Sequence, residues 1–165
     1  MSRKIETFKS FIANPLNTHN FLVQIPGFEE RNIIVQSTTY PNEQLQTTSL
    51  YVAGEQIRYP TIPQVGGTWA VRVPENDYGA TREFFDGLVA QMWDQKSGAF
   101  YPDSWMDIAV YARDLVDTPV FGVLLHGSWI MGRSQAVQLA ANAPTTNWQW
   151  DYQFTYNWIE DIKAK

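Results

Sequence analysis

The sequence contains no cysteine, which excludes a disulfide framework, a thiolate zinc site and a cysteine nucleophile, and is compatible with folding in a reducing cytoplasm. Basic charge is also scarce: 12 Lys and Arg stand against 17 Asp and Glu, a formal net charge of −5, the wrong sign for a surface that grips phosphate backbones by releasing counterions. Histidine occurs twice, at His19 and His126, far apart and outside the paired helical spacing of zinc hydrolases, so no metal site is expected. Long apolar runs are missing too. Nothing approaches the roughly 18 consecutive apolar residues of a spanning helix, and the opening MSRKIETFKSFIANP lacks the apolar stretch of a signal peptide, so neither membrane insertion nor export by that route is expected.

Catalytic signatures are absent as well. His126-Gly127-Ser128-Trp129 is followed by Ile130, where a nucleophile elbow has its second glycine, so Ser128 reads as a strand residue. Gly66-Gly67 has no Gly-Lys-Ser or Gly-Lys-Thr after it and precedes a strand pattern, which suits a hinge and not a phosphate cradle. Carboxylate pairs such as Glu29-Glu30 and Glu160-Asp161 fall in polar segments where solvated charge explains them. The expectation is a protein that is no enzyme and takes no cofactor.

What the chain does have is aromatic and strand-forming material. Its 165 residues are 44% hydrophobic, with seven Trp, eight Tyr and nine Phe, enough for one domain, residues 1–165, with one core, and a composition that favours pleated, half-buried surfaces. Strands are expected at 20–25, closed by Pro26-Gly27, and at 33–38, ended by Pro41. Trp69, Val71 and Val73 alternate with polar positions up to Pro74. The period then changes. Phe84, Phe85, Leu88, Val89, Met92 and Trp93 form a broad helical stripe over 78–95, with Asp77 as the expected cap. Strands follow at 107–112 and 120–130; in the second, Phe121, Val123, Leu125 and Trp129 are expected to share a face with Gly127, in a strand covered on both sides.

Three segments carry the functional reading. An N-terminal arm, 1–17, places Ile5, Phe8, Phe11 and Ile12 at helical spacing, a short apolar stripe that needs another surface. In 46–61, two strand-like stretches flank Ala53-Gly54-Glu55; few apolar residues, Pro60, Pro63 and Gly66-Gly67 set this hairpin apart, so it is expected to project. The last strand alternates Trp148, Trp150, Tyr152, Phe154, Tyr156 and Trp158 with Gln149, Asp151, Gln153, Thr155 and Asn157. Its aromatic face is expected to cover a core and not to stack bases, since no Lys or Arg frames it. Its polar, scarcely charged face suits a wet surface.

In order and spacing, Asn20-Phe21-x-Val23-x-Ile25, Tyr40-Pro41, Val52-Ala53-Gly54-Glu55, Trp69-x-Val71-x-Val73, the Tyr78 helix with Arg82 and Phe85, Gly127-x-Trp129, and Phe154-x-Tyr156-Asn157-Trp158-x-Glu160 resemble the tail tube proteins of contractile-tailed bacteriophages, over roughly residues 18–160. The resemblance implies a mainly β fold: two packed antiparallel sheets in a sandwich or small barrel, one flanking helix and a projecting hairpin. It implies hexameric rings stacked into a tube in the virion tail, assembled in the host bacterial cytoplasm, with sheath protein outside, baseplate and terminator proteins at the ends, and DNA passing through the lumen without specific binding. Leu50, Tyr51, Val52, Ile57 and Tyr59 become the expected inter-subunit or inter-ring contacts, and Ile5, Phe8, Phe11 and Ile12 those of the arm. The face of Gln149, Asp151, Gln153, Thr155 and Asn157 lines either the lumen or the outer surface. An acidic balance suits a conduit for DNA, because like charge prevents adhesion. The rivals are a tube protein of an R-type bacteriocin or type VI secretion machine, a baseplate tube initiator, and a monomeric β-barrel binding an apolar ligand.

Overall fold

The alternation in the sequence is realised as antiparallel ladders. The computed structural model describes residues 16, 18–28, 35–41, 45–63, 66–137, 139 and 147–163. Among the described residues the strands are β1 (Phe21–Gln24), β2 (Ser37–Thr38), β3 (Leu45–Val52), β4 (Glu55–Pro63), β5 (Gly67–Pro74), β6 (Met106–Arg113), β7 (Pro119–Arg133), β8 (Gln149–Tyr156) and β9 (Trp158–Ile162), with one α-helix, α1 (Ala80–Met92), between β5 and β6.

Apart from β3 and β4, the strands form one continuous hydrogen-bonded set of seven, which divides into two sheets because β7, 15 residues long, serves both. Its first half pairs with β6 on one flank and β9 on the other, and β1 lies beyond β6, giving the order β1-β6-β7-β9. The second half pairs with β8, followed by β5 and β2. The change of sheet falls at Gly127, whose φ of 59° lies in the left-handed region. A Cβ there would stand 2.5 Å from the Asn157 amide nitrogen, so conformation and space both require glycine. Asn157 is the matching break between β8 and β9, and its N–H donates to the His126 carbonyl at 2.9 Å. Strands that bend in register in this way make the corner of a sandwich.

The core lies between the sheets, with α1 closing one side. Val23, Ile108, Val110, Val123 and Leu125 from the first sheet meet Trp69, Val71, Val73, Tyr152 and Phe154 from the second, and all are buried. Phe85 of α1 stacks on Tyr152 with ring centroids 4.1 Å apart. Each such side chain contributes about 1.5–3 kcal/mol on burial.

The expected architecture of two packed antiparallel sheets with one flanking helix and a separate hairpin is realised as a sandwich. Among the described residues no closed barrel forms, and the strand order stays open at its edges. The left-handed Gly127 also shifts the alternation of β7 by one position: Val123 and Leu125 are buried before it, Ser128 and Ile130 after it. Trp129 therefore does not share a face with Leu125, and Phe121 is 40% exposed. The expected last strand, 148–158, is divided at Asn157 for the same reason. Of the expected strand 33–38, Ser37–Thr38 pairs with β5 and residues 33–34 lie outside the described residues.

The helix begins at Ala80, and Asp77 does not cap it. Glu75 and Asn76 do that work. Glu75 accepts the N–H groups of Thr81 and Arg82 together with the indole N–H of Trp150, at 2.8–3.0 Å, and Asn76 Oδ1 accepts the N–H of Ala80 at 3.0 Å. Glu75 directly follows β5, within reach of both the helix start and β8.

Candidate assembly interface

Ala53 and Gly54 both have positive φ, 51° and 88°, which closes β3 onto β4 through a two-residue turn of the kind whose twist matches paired strands. The turn fixes the register: Val52 opposite Glu55, Leu50 opposite Ile57, Thr48 opposite Tyr59. Directly opposed residues share a face, so Leu50, Val52, Ile57 and Tyr59 lie together on one side. Ser49, Tyr51, Gln56 and Arg58 lie on the other. The hairpin is amphipathic. Tyr51, grouped in the sequence with the four apolar residues, is on the polar side and 73% exposed.

Among the described residues β3 and β4 pair only with each other, and none of residues 47–60 belongs to the core cluster. Leu50, Val52, Ile57 and Tyr59 are 44–52% exposed. An isolated two-stranded hairpin is marginal in water, so an apolar face held out in this way is a surface awaiting a partner.

On the second sheet, Gln149, Asp151, Gln153 and Thr155 face away from the buried Trp150, Tyr152, Phe154 and Tyr156. Asp151 lies opposite Arg72 of β5 and accepts its Nε–H and Nη2–H at 2.7 and 2.9 Å, a bidentate pair that leaves this row without net charge. Asn157 does not belong to the row; it sits at the corner beside Gly127. Ile5, Phe8, Phe11 and Ile12 lie outside the described residues.

His126 and Ser128 have structural partners. The imidazole stacks on Trp158 with centroids 3.7 Å apart, its Nε2 2.8 Å from Glu160 and its Nδ1 3.2 Å from Asp107. Asp107 also accepts the Gly127 N–H at 3.1 Å, so the cluster joins β6, β7 and β9 at the corner. Ser128 is buried, and its hydroxyl donates to the Leu125 carbonyl at 2.9 Å. Among the described residues no group of acidic, His or Cys side chains is arranged to hold a metal ion, and no helix is long and apolar enough to cross a membrane.

Sequence reasoning missed the exposed aromatic group after α1, formed by Trp93, Phe100, Tyr101 and Trp105. Trp93 falls on the expected helical stripe, yet it is the C-cap residue and bridges to Phe100. Gly98, with positive φ, was the signal that the chain reverses there.

No family model and no curated protein sequence matches the chain. Solved structures do. A chain of the PVC sheath–tube complex, an extracellular contractile injection system in its extended state, is 11% identical with a TM-score of 0.68, over 91% of this chain and 93% of that one. A chain of the 6-fold symmetrised baseplate of the anti-feeding prophage is 15% identical, also at 0.68, over 92% and 97%. A chain of the tube-terminating cap of that prophage is 10% identical at 0.67, over 91% and 92%. At these identities the likeness is one of fold. This chain has the fold of chains found in the sheath–tube, baseplate and tube-cap assemblies of contractile injection systems, over nearly its whole length.

Proposed function

We propose that the chain is the structural subunit of a bacteriophage tail tube: a single tail-tube domain that assembles into stacked hexameric rings around a lumen conducting DNA during ejection. The observation that carries this reading is the amphipathic hairpin, an apolar face left about half exposed among the described residues, on a fold shared with chains of contractile injection assemblies. Its partner is then another copy. Tail sheath protein covers the outside, baseplate and terminator proteins bind the ends, and assembly takes place in the host cytoplasm before the tube joins the virion tail. The role is structural, without catalysis or cofactor.

The row of Gln149, Gln153 and Thr155 with the Arg72–Asp151 pair is suited to line a conduit, since a polar row of no net charge offers a passing duplex nothing to bind. Deleting residues 48–59 is expected to leave a folded monomer that forms no tubes. Tubes from the deletion variant, seen by negative-stain electron microscopy, would contradict the reading.

A second reading has support in the comparisons. The structural neighbours named above come from extracellular contractile injection systems and the anti-feeding prophage, so the chain is alternatively the tube protein or baseplate initiator of such a machine, or of an R-type bacteriocin or type VI system. Purified native particles decide: a packaged genome supports the phage tail, and genome-free particles support the injection machine. The monomeric barrel loses ground, because no barrel closes among the described residues.

A further inference from the structure

Among the described residues, one end of the sandwich is unsealed. On the inner face of the first sheet, Val23, Val110 and Val123 form a fully buried row. The next row outward on that face is Phe21, Ala112 and Phe121, two residues further along each strand. There the cover is thin: β2 is only two residues long, and Tyr40 beyond it meets Phe121 edge-on with centroids 5.7 Å apart. The result is an apolar cleft of about 370 Å³ with Leu16, Phe21, Tyr40 and Phe121 in its wall. Leu16, Tyr40 and Phe121 are 40–46% exposed.

We infer that this cleft receives the apolar face of the β3–β4 hairpin of a second copy of the chain. The inference rests on the tube-subunit reading and deepens it by naming the receptor of the hairpin. Charge is the first argument. Copies carrying −5 each repel one another, and contact is favoured where both surfaces are uncharged. Among the described residues no charged side chain lines the cleft, and the hairpin face of Leu50, Val52, Ile57 and Tyr59 carries a single charge, Glu55 at its tip.

Shape is the second argument. Among the described residues the hairpin face lacks cover and the cleft lacks contents, and they lie on different parts of one molecule, so their union is head-to-tail. Such heterologous contacts propagate into rings or helical stacks and do not stop at a dimer. A self-complementary patch would give a closed pair and no tube.

The cysteine-free chain makes a direct test possible. Copies carrying Ile57→Cys are mixed with copies carrying Phe121→Cys under mild oxidation, with Tyr51→Cys, on the opposite hairpin face, in place of Ile57→Cys as the control. A disulfide needs Cα atoms within about 7 Å. The expected result is a cross-linked pair in the Ile57/Phe121 mixture, several-fold above the Tyr51/Phe121 mixture and above either variant alone. Tubes without that cross-link overturn the docking and leave the tube reading standing. Cross-linking without tubes supports the docking and counts against the tube reading. Neither tubes nor cross-link overturns both. Equal cross-linking by the Tyr51 variant overturns the proposed face, and cross-linking by Phe8→Cys in place of Ile57→Cys assigns the cleft to the N-terminal arm.

Discussion

β8 and the β3–β4 hairpin are written in the same alternation, and the structure gives them opposite surroundings. In β8 the apolar set, Trp150, Tyr152, Phe154 and Tyr156, is at most 8% exposed, covered by α1 and the facing sheet. In the hairpin the apolar set, Leu50, Val52, Ile57 and Tyr59, is about half exposed. Periodicity therefore reports that a strand has an apolar face; it does not report whether the cover comes from the same chain. The first region holds the subunit together, and the second, on the reading proposed here, holds subunits to one another.

Mutations can pull these two roles apart. The largest loss of stability is expected from Phe85→Ala, which removes the ring stacked on Tyr152 and packed near Phe154; chemical denaturation should register about 3–5 kcal/mol. Gly127→Ala comes next, at about 1–3 kcal/mol, because alanine is strained at that positive φ and its methyl meets Asn157. A cost near zero would mean that the corner is not fixed there.

Glu75→Gln is expected to cost about 1.5 kcal/mol near neutral pH. Burial works to raise the Glu75 pKa, but the N–H groups of Asn76, Arg82 and Thr81 and the indole of Trp150 outweigh it, and the carboxyl is held below its ordinary value of 4.5. A depressed folded-state pKa stabilises fully above the unfolded value, and this contribution is lost as pH falls through the folded one. The gap between wild type and Glu75→Gln should therefore be full above about pH 5 and shrink in acid; a gap that widens in acid would refute the assignment. The smallest effect sharpens the contrast from within the core. The Tyr152 hydroxyl is buried with no hydrogen-bond partner, so Tyr152→Phe should be neutral or stabilise by up to about 1 kcal/mol.

Much of the sandwich was legible in the sequence because its strands obey period two and their ends coincide with Pro26, Pro74 and polar turns. The helix was legible from its stripe, while its start was not, since Glu75, Asn76 and Asp77 are all competent caps and only the position of Trp150 on β8 selects Glu75. The corner was hidden for a related reason. Gly127 reads as one more strand position until Asn157, thirty residues away, is seen to occupy the place of its missing side chain. In the hairpin, composition marked Leu50, Tyr51, Val52, Ile57 and Tyr59, but the division into two faces needed the register, and the register depends on whether the turn has two residues or three. The unsealed row of Phe21, Ala112 and Phe121 had no signature in one dimension, because it depends on β2 being too short to cover it.

The most direct test of the central claim is a comparison of wild type with the double variant Leu50→Asp/Ile57→Asp, by denaturation and by negative-stain electron microscopy of the same samples. The account predicts stability unchanged to within about 0.5 kcal/mol, hollow tubes from wild type and only dispersed monomers from the variant. Tubes of normal width from a variant carrying two carboxylates on that face would contradict it.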